Sequence, residues 1–133
     1  MPSVTELRLV VTVDDYEAAL TFYRDVLGLH ERDAFSAPNG GKVSILEAGR
    51  ATLEIANAAQ ADYIDEVEVG RRVAGPIRVA FQVPDAAAAT SRLASGGADV
   101  IAQATRTPWN SLNARLAAPG DLQLTLFEEL GPN

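Results

Sequence analysis

The chain has 133 residues, enough for one domain with a sizeable core, and 47% of them are apolar, as in an ordinary globular protein. Eleven Lys and Arg against eighteen Asp and Glu leave a net charge of −7, a field that repels phosphate backbones and excludes nucleic acid as an expected partner. No apolar run nears the roughly 20 residues that span a bilayer. MPSVTELRLV lacks the regions of a signal peptide, and with no Cys there is no disulfide or thiolate metal site, so a cytoplasmic location without membrane contact is the default expectation.

LRLVVTV (7–13) is β-branched and aliphatic and predicts a strand, with Arg8, Val10 and Thr12 facing away from Leu7, Leu9, Val11 and Val13. Asp14 or Asp15 then offers an N-cap to a helix with an apolar stripe at Ala19, Phe22, Tyr23, Val26 and Leu27, which places the Phe22-Tyr23 pair in the core. Gly28 is positioned to end this helix in a left-handed conformation. Strands follow at 29–36, 42–48 and 51–56, with Asn39-Gly40-Gly41 and Gly49-Arg50 as the turns between them. Residues 57–75 are acidic in the middle and suit a short helix or a loop linking two halves.

The plan then restarts. IRVAFQV (77–83) predicts a strand, Pro84-Asp85 opens an alanine-rich helix closed by Gly96-Gly97, and strands follow at 98–105, 111–117 and 122–128. Arg8 and Arg78 each stand seven residues before the helix-start aspartates Asp15 and Asp85, at the same register of the same kind of strand. Each half reads β-α-β-β-β, and a repeat this long carries more weight than any one motif because several features agree in order. The expected organisation is one α+β domain over 1–133: module 1 at 4–57, a linker at 58–75 and module 2 at 76–129, with eight strands and two main helices packed outside.

Two tandem βαβββ units opened by VTVDDYEAALTFYRDVLGL resemble the vicinal oxygen chelate superfamily, the group of glyoxalase I, bleomycin-resistance proteins and extradiol dioxygenases. The Asp15–Leu29 run and the late TPWN…APGDLQLTLFE segment carry the resemblance, with Gly120-Asp121 where Asp-Gly is usual. It implies an open, barrel-like cleft of eight strands, with paired modules, often from two chains, building the ligand cavity. Metal enzymes of this family place one ligand on the first strand of each half and one on the last. Those positions fall on Arg8, Glu54, Arg78 and Thr125.

Arginine has no lone pair to offer a cation, and one carboxylate with one hydroxyl cannot complete a divalent site. No metal and no other cofactor is therefore expected. His30, the only histidine, follows the first helix and is expected at the surface. Alternation puts Arg8, Thr12, Thr52, Glu54, Arg78, Gln82, Gln123, Thr125 and Phe127 on the concave face. Two accounts of the arginines stand open. Glu54 bridges Arg8 and Arg78 as a structural clasp, or the second guanidinium is spare and takes an anionic or carbonyl-bearing ligand. Trp109, the only tryptophan, precedes the seventh strand where antibiotic-binding members of the family have similar residues by the ligand groove; Tyr63 is placed to cap the cleft.

The expected site is Arg8, Glu54, Arg78, Trp109, Gln123, Thr125 and Phe127, and the expected partners are a small-molecule ligand and a second copy of the chain in a homodimer. The leading function is a metal-independent binding protein of the glyoxalase/bleomycin-resistance type that sequesters an antibiotic or metabolite in a dimer cleft. The alternative is a lyase, isomerase or dioxygenase-related enzyme acting on a small carbonyl substrate, with Glu54 as general base. Two flanking arginines are expected to lower the Glu54 pKa and so weaken it as a base.

Overall fold

The structure is a computed structural model and describes residues 4–118 and 121–131. Eight strands form a single mixed sheet: β1 (Glu6–Thr12), β2 (Glu31–Ser36), β3 (Lys42–Ala48), β4 (Ala51–Ala56), β5 (Ile77–Gln82), β6 (Asp99–Arg106), β7 (Ser111–Ala118) and β8 (Leu122–Glu129). Their spatial order is β2-β3-β4-β1-β5-β8-β7-β6, so the two halves of the repeat meet at the antiparallel pair β1–β5, with Leu9 opposite Val79. Parallel pairs β1–β4 and β5–β8 flank that seam symmetrically. The sheet is not closed; β2 and β6 are its two edges.

Local chemistry sets the element ends as the sequence predicts. Asp15 and Asp85 cap their helices by accepting from the N–H of Ala18 at 3.0 Å and of Ala88 at 2.9 Å. Gly28 and Gly97 take φ of 91° and 113°, the left-handed region in which glycine loses least. Gly120 of the Gly120-Asp121 pair lies outside the described residues.

Convex-face side chains bury under the helices as two separate cores. Val83, Ala86, Ala89, Ala114, Leu116 and Leu126 pack around α3 (Ala86–Ser95). Leu20, Leu46 and Ile55 form the other core with Tyr16, Ala19 and Tyr23 of the first helix. That helix differs from expectation. It is α-helical only over α1 (Tyr16–Leu20) and continues as a π-helix over Thr21–Val26, with Leu27 N–H donating to Phe22 O at 2.8 Å. A π-turn rotates each residue by less than an α-turn does, so the 3.6-residue stripe slides off the sheet-facing side. Tyr23 stays packed, whereas Phe22, Val26 and Leu27 are exposed, Val26 to 72%. The core placement expected for the Phe22-Tyr23 pair thus holds for Tyr23 alone.

The linker also does more than connect. Asn57 caps α2 (Ala58–Glu68), an eleven-residue helix that touches β3 on one side and β6 and β7 on the other. It lies over the concave face, so a third helix roofs the cleft that the sheet curls around. None of the described helices is long and apolar enough to cross a membrane.

Candidate functional site

Register brings the repeated arginines into the concave face. Across the central strands one row runs Glu47, Thr52, Arg8, Ala80, Thr125, Arg115, and the next includes Ile45, Glu54, Val10 and Arg78. Period-2 alternation then turns Arg8, Val10, Glu54, Arg78, Ala80, Thr125 and Phe127 toward a cavity of about 740 Å³. That volume is in the range of small-molecule sites. Phe35 and Val43, Ile64 and Tyr63 of α2, and Trp109 add apolar and aromatic wall. The Tyr63 and Trp109 rings stand 6.1 Å apart at a 45° tilt.

Two of the three cavity-facing guanidiniums of the central strands and their neighbours are saturated. Arg8 Nε donates to Glu6 at 2.5 Å, its Nη1 lies 3.7 Å from Glu54 and its Nη2 3.5 Å from Glu129, while its plane covers the Phe127 ring at 4.5 Å. Arg32, at the rim, takes Glu47 at 2.6 Å and Glu6 at 3.6 Å. Arg78 is different. Its Nη1 donates to Thr125 Oγ1 at 2.7 Å, and among the described residues no carboxylate forms an ion pair with it. The three-residue clasp is therefore half realised: Glu54 pairs with Arg8, and Arg78 stands apart.

Burial sets the electrostatics here. It pushes the Glu54 carboxyl up, against the opposing pull of Arg8 and Arg78, the reverse of the lowering expected from its charged neighbours. Desolvation outweighs attraction because, among the described residues, no donor is hydrogen-bonded to Glu54 and its ion-pair partner is 3.7 Å away. The same desolvation lowers the Arg78 guanidinium, with Glu68 and Glu54 pulling the other way.

A second polar centre was not legible in advance. Arg115 of β7 is wholly buried and donates from Nη1 to Asp65 Oδ1 at 2.7 Å and from Nη2 to Glu68 Oε1 at 3.0 Å, both acceptors lying on α2. Glu68 also accepts from Asn113 at 2.9 Å and from Thr125 Oγ1 at 3.0 Å. Asp65 Oδ2 takes the N–H groups of Val73 and Ala74 at 2.7 and 2.8 Å. Burial works to raise the Asp65 carboxyl, but those two N–H groups and Arg115 prevail and hold it below the usual range. The available signals were the i, i+3 spacing of Asp65 and Glu68, which puts both on one helix face, and the inward alternation of Asn113 and Arg115 on β7.

Of the expected site residues, Arg8, Glu54, Arg78, Trp109, Thr125 and Phe127 all line the cavity. Gln123 does not; its amide accepts from Arg115 at 2.9 Å and donates to Val73 O at 2.9 Å, which ties down the end of the linker. Of the concave-face residues, Thr52 and Gln82 also lie outside the lining, whereas Tyr63 is within it. His30 is exposed, as expected.

A divalent cation does not fit the four positions. Arg8 and Arg78 offer no lone pair, Thr125 Oγ1 is engaged by Arg78, Arg115 and Glu68, and Glu54 is the single carboxylate of the four. Among the described residues no three His, Cys, Asp or Glu cluster in a way that could hold a metal ion.

Paired βαβββ halves around a shared cavity define a glyoxalase-type fold. The chain belongs to the Glyoxalase/Bleomycin resistance protein/Dioxygenase superfamily, whose model matches residues 7–126. No curated protein sequence matches it. Similar solved structures include methylmalonyl-CoA epimerase from Mycobacterium tuberculosis, with 21% identity, 99% of this chain and 92% of that chain covered, and a TM-score of 0.69. A variant of Streptomyces coelicolor methylmalonyl-CoA epimerase in complex with 2-nitronate-propionyl-CoA gives 19% identity over 97% of this chain and 100% of that one, with a TM-score of 0.68. A mutant 4-hydroxymandelate synthase from Streptomyces coelicolor gives 21% identity over 99% of this chain and 40% of the other, with a TM-score of 0.65. At these identities the likeness concerns the fold.

Proposed function

We propose that this protein binds a small molecule without a metal ion, sequestering an antibiotic or a metabolite in the cavity under α2. The observation that carries the reading is the content of the four family metal positions: two permanent cations, one carboxylate and one engaged hydroxyl, facing an aromatic-walled space of about 740 Å³. Such a wall, apolar with a few polar groups, suits a flat organic body better than an ion. Titrating antibiotics and planar metabolites against Trp109 fluorescence tests it, with the same titrations repeated after adding Zn²⁺, Mn²⁺ or Ni²⁺. Saturable quenching that the metals leave unchanged is expected; a flat response throughout, or binding that appears only with metal, overturns the reading.

A homodimer belongs to the same proposal. Its support is the exposed apolar run Phe22, Val26 and Leu27 along the π-helix. Sedimentation of wild type and Val26→Glu tests this: two chains for the former and a shift toward one for the latter are expected.

One observation favours a second, enzymatic reading. Burial raises the Glu54 carboxyl, which makes its ionised form a stronger base, and it faces the cavity beside Arg78. With a carbonyl oxygen held by Arg78, Glu54 would take the proton from the adjacent carbon. The C–H electron pair would pass into an enolate whose oxygen Arg78 offsets, and return of the proton would complete an isomerisation. Solvent deuterium entering a small carbonyl compound, and not entering with Glu54→Gln, is the result expected of this reading.

A further inference from the structure

The arginines around the cleft have carboxylate partners among the described residues except at one place. Arg8 has Glu6, Glu54 and Glu129 within 3.7 Å, Arg32 has Glu6 and Glu47, Arg72 has Asp62 and Asp65, and Arg115 has Asp65 and Glu68. Among the described residues Arg78 has Thr125 alone, a neutral hydroxyl bonded to one of its two terminal nitrogens. The groups that act on it from the surrounding strands and from α2 are Glu68, Arg115, Glu54 and Asp65. Asp65 and Glu68 are both spent on Arg115, and Glu54 is nearest to Arg8. What remains at the cavity floor is a half-buried guanidinium with one neutral hydrogen-bond partner and with Nε and Nη2 unbonded among the described residues.

We infer that the ligand carries a single carboxylate, which docks on the free edge of Arg78 with an apolar, planar body extending toward Phe127, Tyr63 and Trp109. An unpaired guanidinium facing a sparsely solvated cavity is unfavourable unless something of opposite charge completes it. A carboxylate fits its fork bidentately through two parallel N–H···O bonds. Glu54 and Glu68 act on the same place and select among anions: a carboxylate brings one negative charge toward them, whereas a phosphate dianion brings two. A cationic head at the same edge would meet the Arg78 guanidinium directly and be repelled by it.

This inference rests on the cavity being the ligand site, and the experiment separates the two. Isothermal titration calorimetry compares 2-naphthoate, the neutral 2-naphthamide and 2-naphthylmethylamine, compounds with one aromatic body and three different heads. Wild type is expected to bind the carboxylate at least about tenfold more tightly than the amide, the size of one charge-assisted bond pair, and the amine most weakly. Arg78→Met should remove the preference for the carboxylate, bringing acid and amide to within about twofold of one another, with the far-ultraviolet circular dichroism spectrum unchanged. Arg78→Lys, which keeps the charge and loses the fork, should retain part of the preference. Equal binding of acid and amide, or tighter binding of the amine, overturns the inference and leaves the binding function standing. A preference for the acid that persists in Arg78→Met also overturns it. No binding by any of the three to wild type overturns both.

Discussion

Replacing Asp65 by Asn removes one charge and almost no volume, and it probes what holds α2 over the cleft. Each carboxylate oxygen has its own work: Oδ1 accepts from Arg115 at 2.7 Å, and Oδ2 accepts from the Val73 and Ala74 N–H groups at 2.7 and 2.8 Å. An amide has one acceptor. Turned toward Val73 and Ala74, it points its NH₂ at the Arg115 guanidinium; turned toward Arg115, it points its NH₂ at two backbone donors. Either way buried donors lose their partner, at about 1–3 kcal/mol each. The total expected is about 3–5 kcal/mol, the usual loss when one partner of a buried ion pair is removed. For a chain of this size that is a fall in Tm of roughly 10–15 °C. Urea and thermal unfolding followed by circular dichroism measure it. The wild-type pH profile adds an independent check. Because the Asp65 carboxyl is held below its ordinary value of 3.8, its contribution is complete above that value and is lost as pH falls through the lower, folded value. Asp65→Asn should flatten this acid limb. A loss below about 1 kcal/mol, with Tyr63 still against Trp109 by fluorescence, would refute the view that α2 is pinned by this network.

The two central arginines should respond in opposite ways. Arg8→Met strips Glu54 of its ion-pair partner and Phe127 of its covering cation, and is expected to cost about 2 kcal/mol in urea unfolding. Arg78→Met loses one hydrogen bond but ends the burial of a guanidinium, so unfolding should change by about 1 kcal/mol or less. Glu54→Gln tests the raised carboxyl. A group with a folded value above its ordinary 4.5 contributes fully below that value and loses its contribution as pH rises through the folded one. The variant should therefore gain stability relative to wild type as pH rises above 4.5, by about 1.4 kcal/mol for each unit of upward shift. Gly41→Ala should cost about 1–3 kcal/mol in thermal unfolding, because its Cβ would stand 2.7 Å from Gln60 Cα and 2.8 Å from Gln60 N, backbone atoms that cannot swing aside.

Much of this molecule is written in local pattern. Alternation in LRLVVTV and IRVAFQV sends Arg8 and Arg78 to one side of the sheet, and the seven-residue spacing to Asp15 and Asp85 marks the repeat that joins β1 to β5. Helix caps and left-handed glycines act within a few residues, so Asp15, Asp85, Gly28 and Gly97 could be assigned from neighbours alone. The π-winding over Thr21–Val26 could not, since an apolar stripe at 3.6-residue spacing does not report how wide its turns become once packed.

What the chain's order of residues could not decide was pairing between charges far apart in it. Arg115 and Asp65 are fifty positions apart, and nothing local reveals that α2 folds back over the sheet to bring them within 2.7 Å. Glu54 was expected to bridge both arginines, and the register that sets it 3.7 Å from Arg8 left Arg78 without an ion-pair partner among the described residues. Its pKa direction likewise turned on how much water the packed cleft excludes. Sequence thus determined the strands, the repeat and which faces carry charge; tertiary structure decided which charges cancel, because Coulomb attraction and desolvation depend on distances and burial that exist only after the two halves close on one another.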